Sequence, residues 1–157
     1  MTKEEIVRLP VLSLLPLALP MSLIDRNISM NSETFETEVA IRPDSLFCDG
    51  EKVGAWVGME YMAQTIGLFA NAEHLERGEP ISAGFLLGSR DYRCKVPAFK
   101  VGSTLRITAT KLLHDPAGLG VLECKLRELG AAEPMVSANL TLFEVPDLAK
   151  FLKENLN

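Results

Sequence analysis

One carboxylate stands out in this chain of 157 residues. From Val53 to Ala70 the only ionisable group besides Tyr61 is Glu60, and its neighbours Trp56, Val57, Met59 and Met62 are apolar. Gln64 follows one turn later on the same side, and Gly67 and Asn71 continue that side at helical spacing. The stretch reads as a helix with a narrow polar stripe, Glu60–Gln64–Gly67–Asn71, on an otherwise apolar rod. Such a rod is buried on most sides. A carboxylate there loses hydration, which suits it to general acid or base work near neutral pH. A buried glutamate bonded to Gln64 or to a backbone group, and kept for register, is the structural alternative; the residues leave both open. Gly54 and Ala55 precede the helix. Small residues at a helix start expose N–H donors where the dipole is positive, and such an end polarises a carbonyl oxygen.

The elements that must position Glu60 follow from the patterning. Residues 2–8 start a short helix, and residues 22–29 carry a weak strand pattern around Ile24 and Ile28. Thr34 to Ile41 alternates, with Phe35, Thr37, Val39 and Ile41 on one face and Glu36 and Glu38 on the other. Arg42 to Gly50 is turn-rich. The helix runs from Gly54 to about His74, with Met59, Met62, Ala63, Ile66, Phe69 and Ala70 at three- and four-residue spacing and Gly78 as its C-cap. Ile81 to Cys94 is one long strand, with bends expected at Gly84 and Gly88. Three alternating strands follow around Leu105–Ala109, Leu122–Leu126 and Val136–Leu142, with turns at Asp115–Gly118 and at Gly130. Asp147 to Leu156 closes the chain as an amphipathic helix. The order is two strands, one long helix, then about four antiparallel strands: an α+β domain, helix against sheet, spanning residues 1–157.

Composition narrows the function classes. Apolar residues make up 47% and charged residues 24%, as in globular domains, so disorder is excluded as the main description. Lys and Arg number 16 against 21 Asp and Glu, which argues against a nucleic-acid partner. Leu9 to Ile24 is apolar, but Pro10, Pro16 and Pro20 interrupt it and Glu4 and Glu5 precede it, so it fits neither a signal peptide nor a membrane span. It reads as a prolyl lead-in packed on the core. Cys48, Cys94 and Cys124 are odd in number and widely spaced, as expected of free thiols in a reducing cytoplasm. With no phosphate loop, metal-ligand cluster or dinucleotide fingerprint, neither a metal nor a cofactor is expected.

The run Gly54-Ala55-Trp56-Val57-Gly58-Met59-Glu60-Tyr61-Met62-Ala63-Gln64 resembles the hot-dog-fold β-hydroxyacyl–acyl carrier protein dehydratases, where a helix Glu or Asp is followed by an Ala-Gln pair. Leu15 to Arg26, Gly84 to Gly88, and Arg93 to Ile107 resemble further segments in the same order, and the resemblance covers roughly residues 8–145. It is nearest to the dehydratase-like proteins of aryl polyene clusters. The resemblance implies a long helix wrapped by a curved antiparallel sheet, working as a dimer on a 3-hydroxyacyl thioester of acyl carrier protein or coenzyme A. It implies Glu60 as the acid, Ala55 and Trp56 as the oxyanion-binding N–H region, and Gln64, Phe85, Leu86, Leu87 and Gly88 along the acyl tunnel.

One part of the family pattern is missing. A His accompanies the carboxylate in the family, yet the matching stretch Asp44 to Gly50 holds none, and the lead-in position where aryl-polyene relatives carry a His is Leu17. The two histidines, His74 and His114, sit far along the helix and beside a hairpin, where surface roles are expected. Asp44 and Asp49 are candidate bases from the right loop, although Asp44 also suits a turn cap; Cys48 is a possible nucleophile, with nothing near it in sequence to lower its pKa. Three functions follow: a dehydratase-like enzyme using Glu60 and a loop base, a non-catalytic subunit paired with a His-bearing dehydratase, and a thioesterase in which Glu60 directs water or attacks the thioester. Homodimer and heterodimer both remain open. Arg90, Arg93, Lys95 and Lys100 cluster in sequence as a landing patch for an acidic carrier protein, or as an ordinary charged strand edge.

Overall fold

The computed structural model describes residues 1–15, 20–145 and 147–156. Residues 16–19, in the middle of the expected prolyl lead-in, lie outside the described residues. Helix α1 (Lys3–Val7) opens the chain with a capping box between Thr2 and Glu5. Strands β1 (Arg26–Met30) and β2 (Thr34–Ala40) precede a short β3 (Lys52–Gly54) and the long helix α2 (Gly58–Glu76). Then come β4 (Ala83–Cys94), β5 (Ala98–Lys100), β6 (Thr104–His114), β7 (Leu119–Glu128), β8 (Val136–Val145) and α3 (Leu148–Asn155).

Six strands form one curved antiparallel sheet in the order β1-β2-β6-β7-β8-β4, and β3 with β5 makes a second, two-stranded sheet. The alternation seen in the sequence sets the register. Phe35 faces Ala109, Thr37 faces Ile107 and Val39 faces Leu105, while Ala109 faces Cys124 and Ile107 faces Leu126 on the next strand. These side chains, with Leu122, Ala138 and Leu140, are buried on one face of the sheet. Against them α2 lays Tyr61, Met62, Thr65, Ile66, Leu68, Phe69 and Ala72, all buried. Phe35 stacks on Phe69 at 5.5 Å, and the hydroxyls of Thr37 and Thr65 meet at 2.7 Å, so these buried hydroxyls satisfy each other.

The helix begins later than the sequence suggests. Ala55–Val57 is a 3-10 turn, because the Ala55 N–H donates to Pro97 O at 3.0 Å and pins this point to the edge of the small sheet. Gly58 then lets α2 pass close to β4 and β5: a Cβ there would lie 2.9 Å from the Tyr92 hydroxyl and 3.3 Å from Phe99 Cζ. At the other end Gly78 takes the left-handed φ of +75° expected of a cap residue, just past Arg77. Strand β4 starts at Ala83 and not at Ile81, because Asn71 of α2 holds Ser82 by its backbone. Its bend at Gly88 is a register shift against β8, whereas Gly84 keeps register with Glu144. One side of β4 is the end of the sheet, and Phe85, Leu86 and Leu87 are exposed along it.

Candidate functional site

Glu60 stands in the first turn of α2 and is half-buried. Its Oε1 accepts a hydrogen bond from Gln64 Nε2 at 3.0 Å. Gln64 is only 3% exposed. Its Nε2 also donates to Met21 O at 2.7 Å, and its Oε1 accepts from Leu23 N at 2.8 Å. One amide thus fastens the lead-in to the helix and fixes the carboxylate beside it. The expectation that Gln64 lines a substrate tunnel gives way to a positioning role, because both of its N–H groups are engaged and the side chain is sealed. Among the described residues nothing bonds the second oxygen of Glu60, so the bond to Gln64 orients the acid without saturating it.

Asn71 repeats the device at the far end of the stripe. Its Nδ2 donates to Leu14 O at 2.7 Å and to Ser82 O at 3.1 Å, and its Oδ1 accepts from Ser82 N at 2.8 Å. The polar stripe read from the sequence is therefore a row of staples that binds the lead-in and the start of β4 to α2, with Glu60 as the member left open.

The turn before the helix differs from expectation. Since the Ala55 N–H is engaged by Pro97 O, Ala55 is not an oxyanion donor, which leaves the Trp56 amide of the expected pair. The Trp56 ring is 66% exposed, not packed in the core, and lies 5.4 Å from the exposed ring of Phe47. Phe47 takes a φ of 68°, a left-handed backbone that is strained for an aromatic residue.

The expected bases separate. Asp49 Oδ1 accepts from the N–H groups of Glu51 and Lys52, both at 2.9 Å, and these backbone donors hold its carboxyl below the usual carboxylate range. Asp49 is a turn cap and a poor base. Asp44 is exposed at the rim of a cleft of about 350 Å³. Cys48 is half-buried, with Sγ accepting from Gly50 N at 3.4 Å. His74 is not a surface residue: Nδ1 lies 3.0 Å from Pro80 O, and Nε2 meets Glu144, which also accepts from Ser82 Oγ at 2.7 Å. Fourteen residues of helix put it roughly 21 Å from Glu60 along the axis. His114 is exposed, beside a mostly apolar cavity under the far end of α2.

A family model, that of the ApeP-like proteins (ApeP dehydratase), matches residues 9–153. The chain belongs to the ApeP-like dehydratase family. A solved relative, the dehydratase heterocomplex ApeI:P from Xenorhabdus doucetiae, is 31% identical and superposes with a TM-score of 0.83 over 93% of this chain and 97% of that one. Two more distant structures share the fold alone. One is a hypothetical thioesterase from Streptococcus pneumoniae with coenzyme A, at 15% identity and TM-score 0.57 over 76% of this chain and 84% of that one. The other is a sigma28-regulated virulence protein from Campylobacter jejuni, at 13% identity and TM-score 0.63 over 91% and 92%. Among curated proteins none matches. The hot-dog architecture and the dehydratase-like class expected from the Glu60 motif are thereby established.

In this dehydratase-like chain the four basic residues stand on two different sheets and the turn between them. Arg90 and Arg93 are exposed on β4 opposite Asn139 and Ser137 of β8. Lys95 pairs at 4.0 Å with Glu133, and Lys100 stands on β5 opposite Lys52 in the second sheet. Among the described residues no helix is long and apolar enough to cross a membrane.

The functional feature that sequence reasoning missed is the tie between the lead-in and Gln64. Its partners lie 41 and 43 residues away. The only signal was the isolation of a glutamine on an apolar rod one turn beyond the acid.

Proposed function

We propose that this chain supplies the acid of a 3-hydroxyacyl thioester dehydratase and that a homologous, His-bearing subunit supplies the base. The carrying observation is the contrast between Glu60, oriented by Gln64 with its other oxygen unbonded among the described residues, and the two histidines, one engaged and both at the far end of the fold. The relative solved as a heterocomplex supports a mixed assembly. So does the open side of β4, where Phe85, Leu86, Leu87 and Gly88 would form a tunnel wall once a second subunit lies along them.

The step is an elimination. A base takes the proton at C2 of the thioester, the Trp56 amide steadies the negative charge on the carbonyl oxygen, and Glu60 protonates the hydroxyl leaving C3. The C2–H and C3–O bonds break, a C2–C3 double bond forms, and water departs. Proton exchange with solvent resets both groups. The product is a trans-2-enoyl thioester on carrier protein or coenzyme A, in aryl polyene or fatty acid type biosynthesis. The whole of residues 1–157 acts as one domain in this reading. Arg90 and Arg93, near the open side of β4, are the better half of the carrier-protein contact, and the free thiols suit a reducing cytoplasm.

The test is co-expression with a His-bearing homologue, then mass spectrometry of a 3-hydroxyacyl carrier protein. Loss of water by the mixed assembly, absent with either subunit alone, is expected. Full activity of this chain alone, or none in the mixture, overturns the proposal.

A further inference from the structure

The chain has two tyrosines, and their hydroxyls are used differently. The Tyr61 hydroxyl, on a residue 2% exposed, has no hydrogen-bond partner among the described residues. The Tyr92 hydroxyl donates to Ala55 O at 2.7 Å, across 37 residues of sequence. A trans peptide plane carries the carbonyl of one residue and the N–H of the next, pointing opposite ways. Tyr92 therefore grips the back of the peptide group whose front is the Trp56 N–H. That N–H lies in the first turn of the helical run, with no carbonyl one turn before it inside the helix, so it is an open donor.

Two features bring the phenol there. Strand β4 carries a bulge: Arg90 pairs with Asn139 and Arg93 with Ser137, so Asp91 and Tyr92 together stand opposite one residue, Ala138. Asp91 takes a left-handed φ of 55°, which Asp tolerates better than most residues, and a bulge of this kind re-aims the side chain beside it. Gly58 leaves the space, since a Cβ there would stand 2.9 Å from the Tyr92 hydroxyl. Burial, with Cys94 adding to it, pushes the phenol up to about 12 against a hydrogen bond with the Met59 backbone, so the group is a donor at neutral pH. On the other side of Ala55 its N–H donates to Pro97 O at 3.0 Å. Both backbone polar groups of Ala55 are thus held from the β4–β5 segment, and the peptide plane that follows has one orientation.

The grip has a chemical consequence. As negative charge gathers on a thioester oxygen facing the Trp56 N–H, amide resonance shifts electron density onto Ala55 O. A donor already aimed at Ala55 O stabilises that shift, and hydrogen bonds linked in a chain strengthen one another away from water. We propose that Tyr92 is a positioning residue for the dehydration: its hydroxyl fixes and polarises the Ala55–Trp56 peptide so that the Trp56 N–H meets the thioester carbonyl. Tyr92 itself touches no substrate. The proposal rests on the reading of the Trp56 amide as the donor to the carbonyl oxygen.

The test is infrared difference spectroscopy of a saturated acyl-pantetheine, carbon-13 labelled at the thioester carbonyl, bound to the full chain in its mixed assembly. This probe has no hydroxyl to lose, so the band reports polarisation without turnover. Binding should lower the carbonyl stretch, and Tyr92→Phe, which keeps the ring, should return part of that shift. With a 3-hydroxyacyl carrier protein the variant should lose about tenfold in kcat, less than the hundredfold or more for deleting an oxyanion donor outright, with KM within about twofold. Should Tyr92→Phe not fold, Gly58→Ala takes its place: its methyl crowds the same hydroxyl although alanine favours a helix, and it should return part of the shift too. A rate loss with the full carbonyl shift retained is what a merely structural Tyr92 would give, and it overturns the proposal, as does an unchanged kcat. The two readings fail separately. A lowered band that depends on Tyr92, without dehydration of the 3-hydroxyacyl substrate, defeats only the function proposed above; dehydration with a band indifferent to Tyr92→Phe defeats only the positioning role.

Discussion

The two ends of helix α2 make opposite uses of charge. Its first turns hold one acid and one phenol, each with a polar atom unmatched among the described residues, beside an open cleft. Its last turns hold Glu73 and His74 beside a mostly apolar cavity, and these groups are bonded directly to their neighbours: Lys111 with Glu73, His74 with Glu144, and Ser82 with Glu144. Lys111 also lies over the Phe69 ring at 4.8 Å. The end richer in ionisable groups is the one with less left to offer a ligand. Density of titratable residues is thus a poor pointer to chemistry here; an unsaturated hydrogen-bonding atom is the better one.

Substitutions at the two ends test that difference. Glu60→Gln should cost the mixed assembly a hundredfold or more in dehydration rate, on the order expected for a general acid, with little change in melting temperature. His74→Ala should leave the rate within about twofold; if it matches the loss at Glu60, the contrast breaks. Next comes Gln64→Leu, which strands Met21 O and Leu23 N and frees the acid's orientation. Stability should fall by about 2–3 kcal/mol in urea unfolding, together with kcat. Glu144→Gln at the far end should cost about 1–2 kcal/mol and leave kcat unmoved, since it loosens the same helix where no reaction occurs. Lys111→Met should change stability by no more than about 1 kcal/mol.

The smallest effect lies outside both ends. Burial alone would raise the Glu38 carboxyl, but hydrogen bonds from Arg106 and Arg26 prevail and hold it below its ordinary value. A depressed folded-state pKa adds stability above the unfolded value near 4.5, and that stability is lost as pH falls through the folded value. Glu38→Gln should therefore flatten the acid limb of stability below about pH 4.5, and an unaltered limb in denaturation at pH 3 to 5 would refute this assignment.

The long elements were legible because their periods are long enough to show. Phe35–Ile41 and Leu105–Ala109 alternate over enough residues to fix both strand and face, and α2 repeats over five turns. Strands β3 and β5 were missed because three residues, Lys52–Gly54 and Ala98–Lys100, are too few to display a period and are made strands by each other. The same pairing delays the helix and occupies Ala55. Glu60 was found because a charge on an apolar rod is conspicuous in one dimension. The roles of Gln64 and Tyr92 depend on neighbours remote in sequence, and the presence or absence of a hydrogen-bond partner is a property of the folded chain alone. Asp49 looked like a base because turn caps and bases draw on the same residue types.

Strand β4 leaves a row of main-chain amides and carbonyls without a ladder beyond it, flanked by greasy side chains. Such a border adheres to any extended segment it meets. Left bare in an abundant polypeptide, it is the part of this fold most exposed to mispairing.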